Sequence, residues 1–249
     1  MLKQKVAVIT GANRGIGLAT VEVFANNRAT IWACARSQSD EFEKKLQEIA
    51  NSNSTIIKPL YFDVTDQQAM KEAFRQIGKE SKRIDILVNN AGMSVECLFN
   101  MTSMDMMRKA MEVNFLSQIN MAQIVSRYMI KNKSGSIVNV ASVAGMEAEE
   151  GGIAYGSSKA SVLFATKTMS LELGKYGIRA NCVSPGFIET DMWKNRKDDV
   201  RAKVLNETPL HRPGSSKEVA QTILFLASDM SSFITGQNIV VDGGRNKGR

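Results

Sequence analysis

The chain has 249 residues, of which 43% are hydrophobic and 23% charged, a composition that fits one globular α/β domain and excludes a disordered or low-complexity chain. Its net charge of +7 gathers in Lys194, Arg196, Lys197, Arg201 and Lys203 and in the tail Arg245, Lys247 and Arg249. Neither cluster is interleaved with aromatics, so they read as solvated or steering charge with no nucleic-acid platform. The first apolar run is too short for a signal-peptide core or a membrane span, and Cys34, Cys97 and Cys182 lack metal-type spacing, which points to a soluble cytoplasmic protein in a reducing compartment.

The first apolar run, KVAVI at 5–9, leads directly into Thr10-Gly11-Ala12-Asn13-Arg14-Gly15-Ile16-Gly17 and then a helix-like segment. Here Gly11 suits a tight turn, Gly15 the close approach of a pyrophosphate and Gly17 the packing of helix on strand. The helix N-terminus would face the anion, which is the arrangement of a dinucleotide site. The second run, TIWACA at 30–35, ends in Arg36-Ser37, and no carboxylate follows until Asp40. A carboxylate at that strand end holds a ribose 2'-hydroxyl, whereas Arg36 and Arg14 suit a 2'-phosphate, so NADPH/NADP+ is favoured over NAD.

Further apolar runs follow at 60–62, 85–90, 136–141, 179–184 and 239–242, with helical stretches between them. Several are apolar at nearly every position, as strands covered on both faces are. The expected fold is α/β: a doubly wound Rossmann fold over residues 1–249, one seven-stranded parallel sheet with helices on both faces. Ligands of such sheets bind beyond the carboxyl ends of the strands, where Ser142 ends the fifth run and Pro185-Gly186 follow the sixth.

In GGIAYGSSKAS at 151–161, Tyr155 and Lys159 stand four apart and share a helix face. An ammonium near a phenol favours phenolate, and the positive charge of an oxidised nicotinamide would favour it further, which together would bring tyrosine toward neutral titration in a chain whose only histidine, His211, sits in a loop-like PLHRPG.

TGANRGIG, NNAG at 89–92, Asn114, Ser142, YGSSK, PG at 185–186 and VDGG at 241–244 together resemble the short-chain dehydrogenase/reductase family from residue 5 to about 244. The resemblance implies that Tyr155 is the general acid/base. It implies that Lys159 binds the nicotinamide ribose and lowers the tyrosine pKa, that Ser142 bonds the carbonyl oxygen, and that Asn114 supports a water leading from Lys159. It also implies that Asp63 and Val64 lie beside the adenine, the stretch Asn89, Asn90, Ala91 and Gly92 along the cofactor, and Ile188 and Thr190 at the carboxamide. Met93, Ser94, Met146, Phe187, Met192 and Trp193 would line the substrate pocket, under a mobile lid at about 188–207.

Within the family, PGFIETDM and SDMSSFITGQNIVVDGG are most similar to bacterial 3-oxoacyl-acyl carrier protein reductases, which implies an acyl-carrier-bound ketone as substrate. Three departures stand against that pattern: Glu147, Glu149 and Glu150 before Tyr155; Lys175 and Tyr176 where a docking arginine is usual; and a basic tail, RNKGR, in place of an apolar one. Another small-molecule ketone or alcohol stays open as substrate, as does a non-catalytic NADP-binding sensor. Family likeness and the apolar surplus on the helix near 153–174 imply a homotetramer, with a dimer as the fallback if the tail charges repel.

Overall fold

The computed structural model describes residues 1–190 and 198–245. Among these, the strands in chain order are β1 (Val6–Thr10), β2 (Thr30–Ala35), β3 (Ile57–Tyr61), β4 (Ile86–Asn89), β5 (Gly135–Val140), β6 (Ile178–Pro185), β7 (Ile188–Glu189), β8 (Gly214–Ser215) and β9 (Asn238–Val241). Seven of them form one parallel sheet in the order β3-β2-β1-β4-β5-β6-β9. Connections run one way from β1 and the other way from β4, so the crevice between these strands is the place where a ligand meets loops from both halves.

The helices are α1 (Gly15–Asn26), α2 (Asp40–Asn53), α3 (Gln67–Ser81), α4 (Met104–Met111), α5 (Ser117–Asn132), α6 (Ile153–Leu173), α7 (Asp198–Glu207) and α8 (Ser216–Ala227). Alternate strand residues feed two cores, because successive side chains leave a strand on opposite faces. Ala7, Ile9, Ile31 and Ala33 pack with Phe24 of α1, Leu46 of α2 and Ile223 of α8. Val6, Val8, Trp32 and Cys34 pack on the other face with Phe74 and Ile77 of α3 and with Val125 and Met129 of α5. Each large side chain so buried is worth roughly 1.5–3 kcal/mol, which makes the sheet the rigid platform for its loops. Cys34 and Cys182 are buried free thiols, and burial pushes Cys34 up to about 12, which fits inert core residues.

Two details differ from the pattern of apolar runs. β3 lies at 57–61, not 60–62, because Lys58 and Pro59 interrupt its hydrophobicity; it is an edge strand, where a charge and a missing N–H are tolerated. A second, two-stranded sheet pairs β7 with β8 beside the main one, each strand too short to leave a period in the sequence. The long helix from 104 is continuous through α4 and α5 but widens into a π turn at Glu112–Leu116, and Asn114 sits in that turn. No helix among the described residues is long and apolar enough to cross a membrane. Of the expected lid, β7 and α7 are described, and residues 191–197 lie outside the described residues.

Candidate active site

A cleft of about 770 Å³ opens at the carboxyl ends of the strands. On one side β1 stops at Thr10 and the chain turns through Gly11 and Gly15, whose φ values of +61° and +54° put both in the left-handed region that glycine occupies without strain. Gly11, Asn13, Arg14, Gly15 and Ile16 all line the cleft there. Helix α1 begins against it with no side-chain cap and no acid in its first turn. By contrast, Ser39, Asp66 and Ser215 cap α2, α3 and α8. The leading amides of α1 are therefore free of side-chain acceptors and suit an anion. Pro185, Gly186, Ile188, Thr190, Gly92 and Ser94 line the cleft as well, and a Cβ on Gly15 would stand 3.5 Å from Thr190 Cγ2.

The other expected nucleotide contacts divide into braces and rim. Gly17 stands behind the turn: a Cβ there would collide with the Gly11 carbonyl oxygen and the Asn90 amide, so its small size serves turn packing more than helix-on-strand packing. Asn89 is fully buried and donates to Asn139 Oδ1 at 2.8 Å, so it belongs to the core; Asn90 lines the cleft in its place. Asn90 donates to the Thr10 and Gly11 carbonyls at 3.0 and 3.1 Å, and the Asn90 and Ala91 amides both donate to Thr10 Oγ1 at 3.0 Å. Ala91 therefore holds the turn together and does not line the cleft. Arg36, Ser37, Asp63 and Val64 lie at the ends of β2 and β3, outside the cleft lining. Asp63 accepts from the Thr65 amide and hydroxyl at 2.9 and 2.7 Å. These bonds, with a smaller contribution from Arg36, hold its carboxyl below the usual range.

The acid–base candidates converge on the middle of the cleft. Ser142, Tyr155 and Lys159 all line it. Ser142 follows β5 in extended conformation, accepts from the Ala144 amide at 3.2 Å, and hydrogen-bonds the Tyr155 phenol, which favours phenolate. The buried Lys159 donates to the Val140 carbonyl at 2.7 Å, with its Nζ 5.8 Å from the Tyr155 ring centroid. Burial lowers the ammonium to about 8. The phenol itself is raised above its ordinary value, first by burial and then by Glu149 and Glu96. From the chain's own residues alone, burial therefore governs the phenol, while the ammonium is turned toward the Val140 carbonyl.

Asn114 is buried in the π turn, accepts from the Met93 amide at 2.8 Å, and donates to the Met93 carbonyl at 2.9 Å and to Ser158 at 3.0 Å. Its side chain thus ties the Gly92–Met93 segment to the helix of Tyr155 and Lys159, with both amide groups already engaged. Of the expected substrate wall, Met93, Ser94 and Phe187 line the cleft, whereas Met146 faces a neighbouring groove and takes a bond from Asn238 Nδ2 at 2.9 Å. Met192 and Trp193 lie outside the described residues.

Four carboxylates, Glu96, Glu149, Glu150 and Glu189, also line the cleft. Glu149 and Glu150 stand out in sequence as acidic departures just before Tyr155, but Glu96 and Glu189 carry no local signal, since only the fold brings their loops to one mouth.

A family profile described as enoyl-(acyl carrier protein) reductase matches residues 11–246. The chain is 41% identical to the 3-oxoacyl-[acyl-carrier-protein] reductase of Thermotoga maritima, over 98% of each chain. Its fold superposes on the crystal structure of a 3-oxoacyl-[acyl-carrier protein] reductase from Brucella melitensis with a TM-score of 0.91 at 33% identity, covering 97% of this chain and 91% of that one. YwfH, an NADPH-dependent reductase involved in bacilysin biosynthesis, gives a TM-score of 0.93 at 27% identity and 98% coverage of both chains.

Proposed function

The chain belongs to the short-chain dehydrogenase/reductase family, oxidoreductases that act on CH–OH donors with a nicotinamide cofactor, and on that premise we propose that it is an NADPH-dependent 3-oxoacyl-[acyl carrier protein] reductase. The observation that carries this reading is a single cleft holding both a glycine turn able to seat a pyrophosphate and the Ser142–Tyr155–Lys159 cluster. The cradle fits the cofactor: backbone approaches at Gly11 and Gly15, and uncapped amides open α1. When bound, the nicotinamide supplies the hydride.

The chain's own residues do the rest. Ser142 and Tyr155 would hold the ketone oxygen between two hydroxyls, and Tyr155 would donate its proton to that oxygen as the alkoxide develops. Lys159 supplies a nearby cation and a ribose contact, and Asn114 positions the loop at Met93 against the helix of Tyr155. Arg14 at the cleft and Arg36 at the end of β2 support a 2'-phosphate, the strand continuing into Arg36-Ser37 where a carboxylate would hold a 2'-hydroxyl.

A second reading, reduction of a free neutral ketone, is favoured by the four carboxylates at the mouth, which a phosphate-bearing carrier arm would have to pass. NADPH oxidation with 3-oxoacyl groups on the carrier, on a short thioester and with free ketones separates the two. The carrier substrate is expected to give the highest kcat/KM, and a free ketone exceeding it by tenfold would establish the second reading.

The assembly is read as a homotetramer. Phe164 and Leu171 of α6, and Met230 and Phe233 before β9, are 74%, 83%, 62% and 103% exposed, apolar side chains that a second copy would cover. The repulsion expected at the tail is reduced, because Arg245 is paired with Glu149 and Glu207 of its own chain. Light scattering at low micromolar concentration tests this; a monomer would refute it.

A further inference from the structure

Two of the departures that set this sequence apart, the acidic segment before Tyr155 and the basic tail, meet in space at Arg245. After β9 the chain turns through Gly243 and Gly244 and delivers the Arg245 guanidinium to three segments at once. Nη2 and Nε donate to Glu207 Oε2, in the last residue of α7, at 2.9 and 3.3 Å. Nη1 donates to Glu149 Oε1 at 3.4 Å, four residues before α6 begins. The guanidinium carbon stands 5.0 Å from the Phe187 ring centroid. Glu149 and Phe187 line the cleft, so one cation joins two walls of the mouth to the helix that flanks it.

The arrangement is also shielded. The Arg245 side chain is only 19% exposed, against 37% and 42% for its partners, and a planar guanidinium can stack and pair in one pose where an ammonium cannot. Packing of Thr208 and Leu210 near Gly243, and of Pro209 near Gly244, brings the end of α7 to the same turn.

We propose that Arg245 is a positioning residue of the reaction: it holds α7 and the Phe187 wall against the mouth of the cleft and offsets the charge of Glu149 beside Tyr155. This rests on the reading of Tyr155 as the proton donor. The charged groups facing that phenol are Lys159 from its own helix, Glu149 from the segment before it and Glu96 from the segment after β4. Among them Glu149 is the one that Arg245 contacts. Removing the guanidinium strengthens the carboxylate field and disfavours phenolate; removing the Glu149 charge does the opposite.

The test uses the full-length protein and the variants R245Q, R245K, E149Q and E207Q. Amide exchange of residues 201–207, measured without cofactor, is expected to quicken roughly two- to fivefold in R245Q and E207Q. In the pH profile of alcohol oxidation, the alkaline midpoint should rise in R245Q, fall in E149Q, stay put in E207Q and return most of the way in R245K. KM for the ketone should rise more than kcat falls in R245Q. Unchanged exchange in R245Q, or midpoints moving the same way in R245Q and E149Q, would overturn the proposal. A Tyr155→Phe protein that keeps the alkaline limb would instead overturn the proton-donor reading, and the exchange result then still decides whether Arg245 holds α7.

Discussion

The two sides of the cleft are built from different materials. On the glycine-turn side, Asn90 and Ala91 hold Thr10 and Gly11 through hydrogen bonds of 3.0–3.1 Å, on a sheet whose central strands are buried on both faces. On the substrate side, the mouth is drawn together from four separate segments by partly exposed ion pairs centred on Arg245. Buried hydrogen bonds and packing cost several kcal/mol to break, whereas an exposed pair contributes about 0–1 kcal/mol. On the proposed function, such a division would give a fixed cofactor seat and an adjustable substrate mouth, which is how one fold can keep one chemistry and change its substrate.

The largest expected effect falls where the two sides meet. Tyr155→Phe should lower turnover by roughly 10²–10⁴-fold while cofactor affinity, read by fluorescence titration, stays within a few fold, because the ring still packs and only the transferable proton is lost. Comparable losses of affinity and turnover would mean that the tyrosine serves the cofactor side.

On the rigid side, Gly17→Ala forces a Cβ into the Gly11 carbonyl and is expected to cost about 1–3 kcal/mol in urea unfolding, together with weaker cofactor binding. Parent-like stability would show that the turn yields as readily as the mouth does.

Lys159 sharpens the comparison through pH. Its value in the fold is about 8 against an ordinary 10.5, so the buried ammonium destabilises the protein below pH 8, and that cost fades as pH rises from 8 to 10.5. Lys159→Met should therefore be more stable than the parent by roughly 1–3 kcal/mol at pH 7, with the advantage gone above pH 10.5 and with turnover reduced. A variant less stable than the parent at pH 7 would show that the bond to Val140 outweighs desolvation.

The smallest effect is expected at the outer edge of the cofactor side. Arg36→Asp should weaken NADPH and improve NADH by roughly tenfold in kcat/KM ratio, with Asp63 adding a second repulsive carboxylate. A parent that already prefers NADH would remove Arg36 from the site.

The same division explains what could be read from the sequence. The seven strands, the glycine turn and the Tyr155–Lys159 spacing were legible because each is a local pattern: apolar runs, glycines at fixed offsets, two residues one helical turn apart. Which of Asn89 and Asn90 reaches the cleft was not, since neighbouring residues at a strand end point to opposite faces and only the register decides between them. Nor was the raised phenol legible, because burial and Glu96, remote in sequence, act through space. The pairing of Arg245 with Glu149, residues 96 positions apart, is the extreme case: both were visible as departures, and only the fold makes them one feature.

The most direct test of the account follows the hydride. NADPH deuterated at the transferable position of the nicotinamide, incubated with the protein and a 3-oxoacyl thioester, is expected to deliver its label to the carbinol carbon of a 3-hydroxyacyl product. Label retained in the cofactor, with the ketone unconsumed, would contradict it.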